Sequence, residues 1–431
     1  MTTDCYDLSI SRAELSRLIP RLRAVPSAVA AGPAGLLRSP GACELLARDL
    51  AVLPPTGGQL ERPGVLLRFS ETPIPPAAWS WFLGQHRITG WGPLACLSIG
   101  PDGAVAGDVL TPGDAWSTVD RIRFAGSGAL GISLCGQDED ATDATVHDPR
   151  WQRPLGLFQP QAFKRLTKLT IAVIGAGGNG SRMALALAGL GVRRLILVDP
   201  DRIEPHNLHT TAALPQDIGR FKVEVVGDQI RAMLGGQAQL TLLSQSITRF
   251  DVIDVVRKAD VLVSAVDNDG ARLITTTVAA LYTRALLDVG SGVVSGARMG
   301  GDIRLIYPGE GRCLCCWGGL ARAEEIADVL DGVWPPAHAH RRGPAPLLSL
   351  NQLVVHLGVR LLEDMVREQL AASAWLRLEY DNGVPSLQNV EAVPRRPCRV
   401  CALAGAGDAG LSQLSTLVAG IIEDQQTAVS E

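Results

Sequence analysis

The apolar run LTIAVIG (169–175) breaks without transition into AGGNGS, so that four glycines fall at 175, 177, 178 and 180. A buried strand that turns at once into a glycine-rich loop and then an amphipathic helix is the opening of a nucleotide-binding βαβ unit. Gly175, Gly177, Gly178 and Gly180 allow the close backbone approach that phosphates need. The following helix offers unpaired N–H groups and its positive dipole end. NAD, FAD and ATP all fit such a turn, so the stretch by itself names no reaction.

The pattern around it repeats. RLILVD (194–199), DVLVSAVD (260–267) and RALLDVG (284–290) read as further buried parallel strands, and DIRLIY (302–307) as one more. SRMALALAGLG (181–191) and FKVEVVGDQIRAML (221–234) read as the helices between them, and residues 348–370 as a long helix returning over the sheet. The alternation predicts an α/β fold with a doubly wound, largely parallel Rossmann-like sheet across 150–431. Residues 136–149 (GQDEDATDATVHDP) are acidic and turn-forming and read as a linker. Residues 1–135, rich in Pro, Gly and Ala, read as a smaller α+β module, and the tail after Gly407 as poorly ordered.

Asp199 closes the second strand, where a carboxylate suits ribose hydroxyls. Asn207 and Lys222 follow it, and then Asp267 and Asn268 close after another strand. A lysine and an extra carboxylate beside phosphates have little use in hydride transfer. In cleavage between the α- and β-phosphates, lysine offsets developing charge and a carboxylate such as Asp267 holds Mg²⁺. These stretches (GAGGNGS, LVDPDRIEPHNL, GRFKVE, SAVDNDGAR, GDIRLIYPGEGRCLCC and RPCRVC, in that order over about 148–405) resemble the adenylating enzymes of the ThiF/MoeB/HesA, ubiquitin-activating-like superfamily.

The resemblance implies that the glycines cradle the triphosphate and Asp199 binds ribose, with Asp201 beside it. It implies Asn207, Lys222 and Asn268 on the nucleotide, Asp267 on Mg²⁺, and Arg272 as the arginine of the DNxxxR stretch. Arg153 stands where such enzymes present an arginine to a partner subunit's ATP, which implies a homodimer. The implied reaction is attack of a C-terminal carboxylate on the α-phosphate with release of pyrophosphate. The implied partners are a ubiquitin-like protein, a sulfur carrier or a ribosomal peptide. One position departs: where the superfamily reads Asn-Leu-x-Arg, this chain has Asn207-Leu208-His209-Thr210, leaving Arg182 or Arg220 to substitute.

Five of the nine cysteines cluster in CLCC (313–316) and CRVC (398–401). The pairs Cys313/Cys316 and Cys398/Cys401 have the CxxC spacing with which two thiolates reach one metal, and two such pairs predict a closed structural Cys₄ zinc site. Cys315 is left over. Between the pairs, 317–346 reads as a crossover loop; its His338 and His340 read as solvated, and it holds no cysteine for a thioester.

Residues 62–99 place a proline-rich turn, His86 and then Cys96-Leu-Ser-Ile, an order that resembles ubiquitin-conjugating domains and makes Cys96 a candidate transfer thiol. A degenerate metalloprotease-like module and a peptide-recognition domain are the alternatives for this segment. Charge is balanced (40 basic, 44 acidic residues) with no long basic run, which argues against nucleic-acid or membrane-surface binding. With no membrane-length apolar run and no signal-like start, a cytoplasmic protein is expected.

Overall fold

The computed structural model describes the chain apart from residues 1–4, 25–28, 40–41, 54–58, 62–63, 71–72, 85–86, 90–91, 101–104, 113–114, 126–130, 135–148, 296–297, 308, 321–346, 371, 396 and 422–431. The linker up to residue 148, Cys135, His86, His338 and His340 therefore lie outside the described residues. The chain divides into two compact units. One comprises 1–143 with Leu281–Thr283 and Leu403–Gln413; the other comprises 144–280, 284–402 and 414–431.

The second unit is built on an eight-stranded sheet. Its strands are β1 (Thr170–Ile174), β2 (Arg194–Val198), β3 (Gln239–Leu243), β4 (Val261–Ser264), β5 (Ala285–Ser295), β6 (Arg298–Ile306), β7 (Ala374–Asp381) and β8 (Val384–Asn389). They lie in the order β3-β2-β1-β4-β5-β6-β7-β8. The pairs from β3 to β5 are parallel and those from β5 to β8 antiparallel. The fold is thus α/β, with a parallel Rossmann-like half and an antiparallel extension.

The apolar runs account for the centre. Ile171–Ile174 and Val261–Ser264 are buried at every position, as strands covered on both faces must be. Helix α1 (Gln152–Lys168) precedes β1, and α2 (Gly178–Gly189) follows it, burying Met183, Ala184, Leu187 and Ala188. Helix α3 (Lys222–Leu234) leads to β3, α4 (Phe250–Val256) to β4 and α5 (Asp269–Leu281) to β5. The long α6 (Leu348–Val366) buries Val354, Val355, Gly358 and Leu362 on one stripe. The chain reverses on either side of β1, to β2 and to β4, which makes the carboxyl end of β1 the switch point where open sheets of this kind bind ligands.

The first unit is a mixed sheet, ten-stranded among the described residues. Cys5–Ser11 lies parallel to both Ala42–Ala47 and Trp116–Ala125, and Val65–Phe69 parallel to Leu94–Ile99. Most other pairings are antiparallel. Helices Arg12–Ala24, Pro76–Gly84 and the short Gly407–Leu411 make it α+β.

The tail corrects one expectation. Residues 403–413 belong to the first unit, where Leu36 bridges Gly407, the Arg38 N–H donates to Asp408 (3.0 Å) and the Tyr282 hydroxyl donates to the same carboxylate (2.8 Å). Residues 414–421 are helical and bury Leu414, Leu417, Val418 and Ile421. That spacing is one face of a helix, so order extends well past Gly407.

Candidate functional site

The glycine turn leaves β1 at the switch point, and its geometry needs glycine at two places. Gly175 has φ +91°, a region side chains rarely enter. At Gly180 an added Cβ would stand 1.8 Å from the Gly175 carbonyl oxygen, so the first turn of α2 can pack on the strand end only without a side chain. Gly177 faces open space and caps α2 with no side-chain hydrogen bond. The first N–H groups of α2 therefore have no capping side chain and point from the helix end, an arrangement that receives anions.

Asp199, at the end of β2, braces this turn. One carboxylate oxygen accepts from the Ala176 N–H (2.6 Å) and the other from the Asp201 N–H (2.9 Å). Burial raises its pKa above the ordinary value, against the opposing pull of Lys222 and the two amide donors. Lys222, at the start of α3, is itself buried. Its Nζ donates to Asp201 (2.8 Å) and lies 3.9 Å from Asp199. Burial is the largest single influence on Lys222 and lowers its pKa, but Asp199, Asp201 and Asp267 together outweigh it and leave the ammonium favoured. Asp267 is exposed just past β4, close enough for its charge to act on Lys222. The structure thus brings Asp199, Asp201, Lys222 and Asp267 to one end of the sheet, beside the glycine turn.

Other sequence-derived candidates have structural partners. The Asn207 Oδ1 accepts from the Glu204 N–H (3.0 Å), and its carbonyl accepts from the Thr210 and Thr211 amides. Asn268, 1% exposed, spends its Oδ1 on the Ala271 N–H (2.7 Å) and caps α5. Arg272 donates to the Val266 carbonyl and lies 3.5 Å from the buried Asp288, bracing the loop that carries Asp267. Arg153 is exposed in the first turn of α1. Of the two substitutes considered for the arginine absent at Thr210, Arg220 is engaged by Asp217 and Asp228 (3.0 and 2.5 Å). Arg182 instead lies on the glycine helix and donates to the Thr211 carbonyl (2.8 Å).

Cys96 does not sit in a site. It lies in the middle of the strand Leu94–Ile99, 0% exposed, among Val29, Ala31, Leu66 and Trp79. Burial pushes its thiol far above the ordinary value, and Asp108 opposite adds to the effect. A thiol that is neither ionised nor reachable cannot take an acyl group from a partner, so the fold opposes a transfer role for Cys96.

The four paired cysteines do converge. The Sγ atoms of Cys313, Cys316, Cys398 and Cys401 all lie within 4.8 Å of one another. Neighbouring pairs stand at 3.5–3.7 Å. A tetrahedron with Zn–S bonds of about 2.3 Å has an edge of about 3.8 Å, so the donor set fits a closed structural zinc site. Cys315 is outside this set.

Sequence reasoning passed over one group at the turn. Asn179 Nδ2 donates to Ser291 Oγ (3.1 Å), which donates to Asn351 Oδ1 (2.7 Å). Asn351 occupies the core-facing stripe of α6 with Val354, Val355 and Gly358; a polar residue in that register was the signal available.

Residues 151–354 match the ThiF family. Residues 151–354 form a ThiF-family domain. Curated relatives align over part of the chain. Adenylyltransferase and sulfurtransferase MOCS3-1 of Zea mays is 31% identical over 172 residues, covering 39% of this chain and 35% of that protein. Ubiquitin-like modifier-activating enzyme 5 of Xenopus laevis is 30% identical over 176 residues, covering 38% of this chain and 43% of that one. The chain therefore spans less than half the length of either. Among solved structures, E. coli MccB with ATP superposes with a TM-score of 0.47 at 18% identity, over 59% of this chain and 74% of that one. Among the described residues, no helix is long and apolar enough to cross a membrane.

Proposed function

We propose that the chain is an ATP-dependent adenylyltransferase that activates the C-terminal carboxylate of a ubiquitin-like protein, a sulfur carrier or a ribosomal peptide. The observation that carries this reading is the buried Lys222, kept charged by Asp199, Asp201 and Asp267 beside an uncapped glycine helix end. A dinucleotide site for hydride transfer has no need of that cation. The ThiF domain and the two curated relatives support the same class.

In this reading the N–H groups at Gly177–Gly180 and Lys222 receive the phosphates, and Asp199 and Asn207 border the nucleotide. The acceptor carboxylate is already ionised, so no general base is required. It attacks the α-phosphorus in line, the bond to the bridging oxygen breaks, and pyrophosphate leaves. Charge neutralisation and alignment supply the catalysis. Asp267 would hold Mg²⁺, which supplies further neutralisation of the phosphates. Cys313, Cys316, Cys398 and Cys401 would hold zinc and tie the segment 398–401 to the end of the sheet. Arg153, exposed on α1, is assigned to the partner subunit's nucleotide in a homodimer, and the adenylate passes to an external amine or sulfur donor.

ATP–pyrophosphate exchange tests the reading. Exchange is expected with a carrier or peptide bearing a free C-terminus, and loss of exchange in Asp267→Ala. ATP binding without exchange for any acceptor would mark a non-catalytic scaffold, the reading that Thr210 favours.

A further inference from the structure

Asn351 is 3% exposed, yet its Nδ2 makes no hydrogen bond among the described residues. The side chain is held almost wholly inside the fold while this one donor edge stays open, so whatever occupies the helix end can accept from it. Its orientation follows from its neighbours. The Ser291 hydroxyl has one proton; it receives the Asn179 amide and gives that proton to Asn351 Oδ1. Asn351 must therefore present Nδ2 on its other side. There it lies 2.6 Å from the place a Cβ on Gly178 would occupy, directly against the first residue of α2. Three elements (the glycine turn, β5 and α6) thus hold one donor at the helix end that receives phosphate.

We propose that Asn351 is a phosphate-binding residue whose Nδ2 donates to a non-bridging α-phosphate oxygen of ATP, with Ser291 and Asn179 as positioning residues. This rests on the nucleotide reading above. The α-phosphate is the group assigned because Gly178 begins α2, whose end receives the anion. β5 and α6, which supply Ser291 and Asn351, lie on the opposite side of the switch point from β2 and Lys222.

Calorimetric titration of ATP, AMP and adenosine into the full chain separates the possibilities. In Asn351→Ala, ATP and AMP should each bind about 10- to 100-fold more weakly, the range for a hydrogen bond to a charged group, while adenosine is unchanged. Asn351→Asp keeps the acceptor for Ser291 and sets a carboxylate against the phosphate, so its loss should be larger. Ser291→Ala should show a smaller loss with the same preference for phosphate-bearing ligands. Unchanged adenosine affinity also reports an intact fold. Loss with ATP alone would move the contact to the β- or γ-phosphate and overturn the assignment. Equal loss for all three ligands, or none, would overturn it too. A wild-type chain that binds neither ATP nor AMP would instead remove the nucleotide reading itself, and this inference with it.

Discussion

The two units use a sheet in opposite ways. In the ThiF-bearing unit the charged groups sit at strand ends: Asp199 after β2 and Asp267 after β4, with Lys222 opening a helix beside them. In the first unit the one candidate nucleophile, Cys96, sits buried in mid-strand, packed among Val29, Ala31, Leu66 and Trp79. A parallel open sheet divides at its switch point, and side chains just beyond the strands meet there without leaving the core unpaired. A residue within a buried strand has no such exit. Position along the strand, more than residue type, decides which groups can act.

That contrast can be broken in order of expected effect. The largest test concerns the thiol cluster, where the metal contribution is about 10 kcal/mol or more in small zinc domains. Purified protein should carry one zinc per chain, and Cys398→Ser should lose it and unfold at markedly lower temperature. A metal-free wild type of equal stability would contradict the assignment. Next is the buried pair Asp288–Arg304 (3.1 Å), with Asp288 0% and Arg304 3% exposed. Arg304→Met leaves Asp288 without that partner and should cost about 3–5 kcal/mol in denaturant unfolding.

Lys222→Ala should lower pyrophosphate exchange by about 10²–10³, the loss seen when one preorganised charge-stabilising group is removed. Cys96→Ser should do the reverse of a catalytic lesion. It should destabilise by about 1–3 kcal/mol, from burying a hydroxyl, and leave exchange per folded molecule unchanged. A reducing-agent-sensitive adduct that disappears in this variant would restore Cys96 to the mechanism.

The smallest effect is on the acid side. Burial alone would raise Asp302, but Arg377, Arg304 and Trp375 hold its pKa below the ordinary 3.8. A depressed folded value means its contribution is full above the unfolded value near 3.8 and is lost as pH falls through the folded one. Asp302→Asn should flatten the stability curve in that acid window and nowhere else.

Legibility in the sequence followed the same division. Continuous apolar runs announced β1, β2, β4 and β5 because strands buried on both faces leave no alternation to confuse them. β8 was missed because all of its residues are exposed, so no burial pattern marks it. The short strands of the first unit lie among prolines and glycines, where periodicity cannot be counted. Asp199 and Asp267 were legible from their places at strand ends, and Lys222 from the order of motifs that carries the resemblance. Their companions Asn268 and Arg272 were legible as neighbours, but their bracing contacts were not, since a cap or a carbonyl partner has no signature beyond residue type. Asn351 was hidden because its stripe reads as core.

The proposed adenylation requires the glycine turn and Lys222 to bind ATP. Thermal unfolding with saturating ATP–Mg²⁺ or NAD, on wild type and Lys222→Ala, tests it most directly. Wild type should be stabilised by ATP alone, and Lys222→Ala less so. Stabilisation by NAD but not ATP, or an ATP effect indifferent to Lys222, would contradict it.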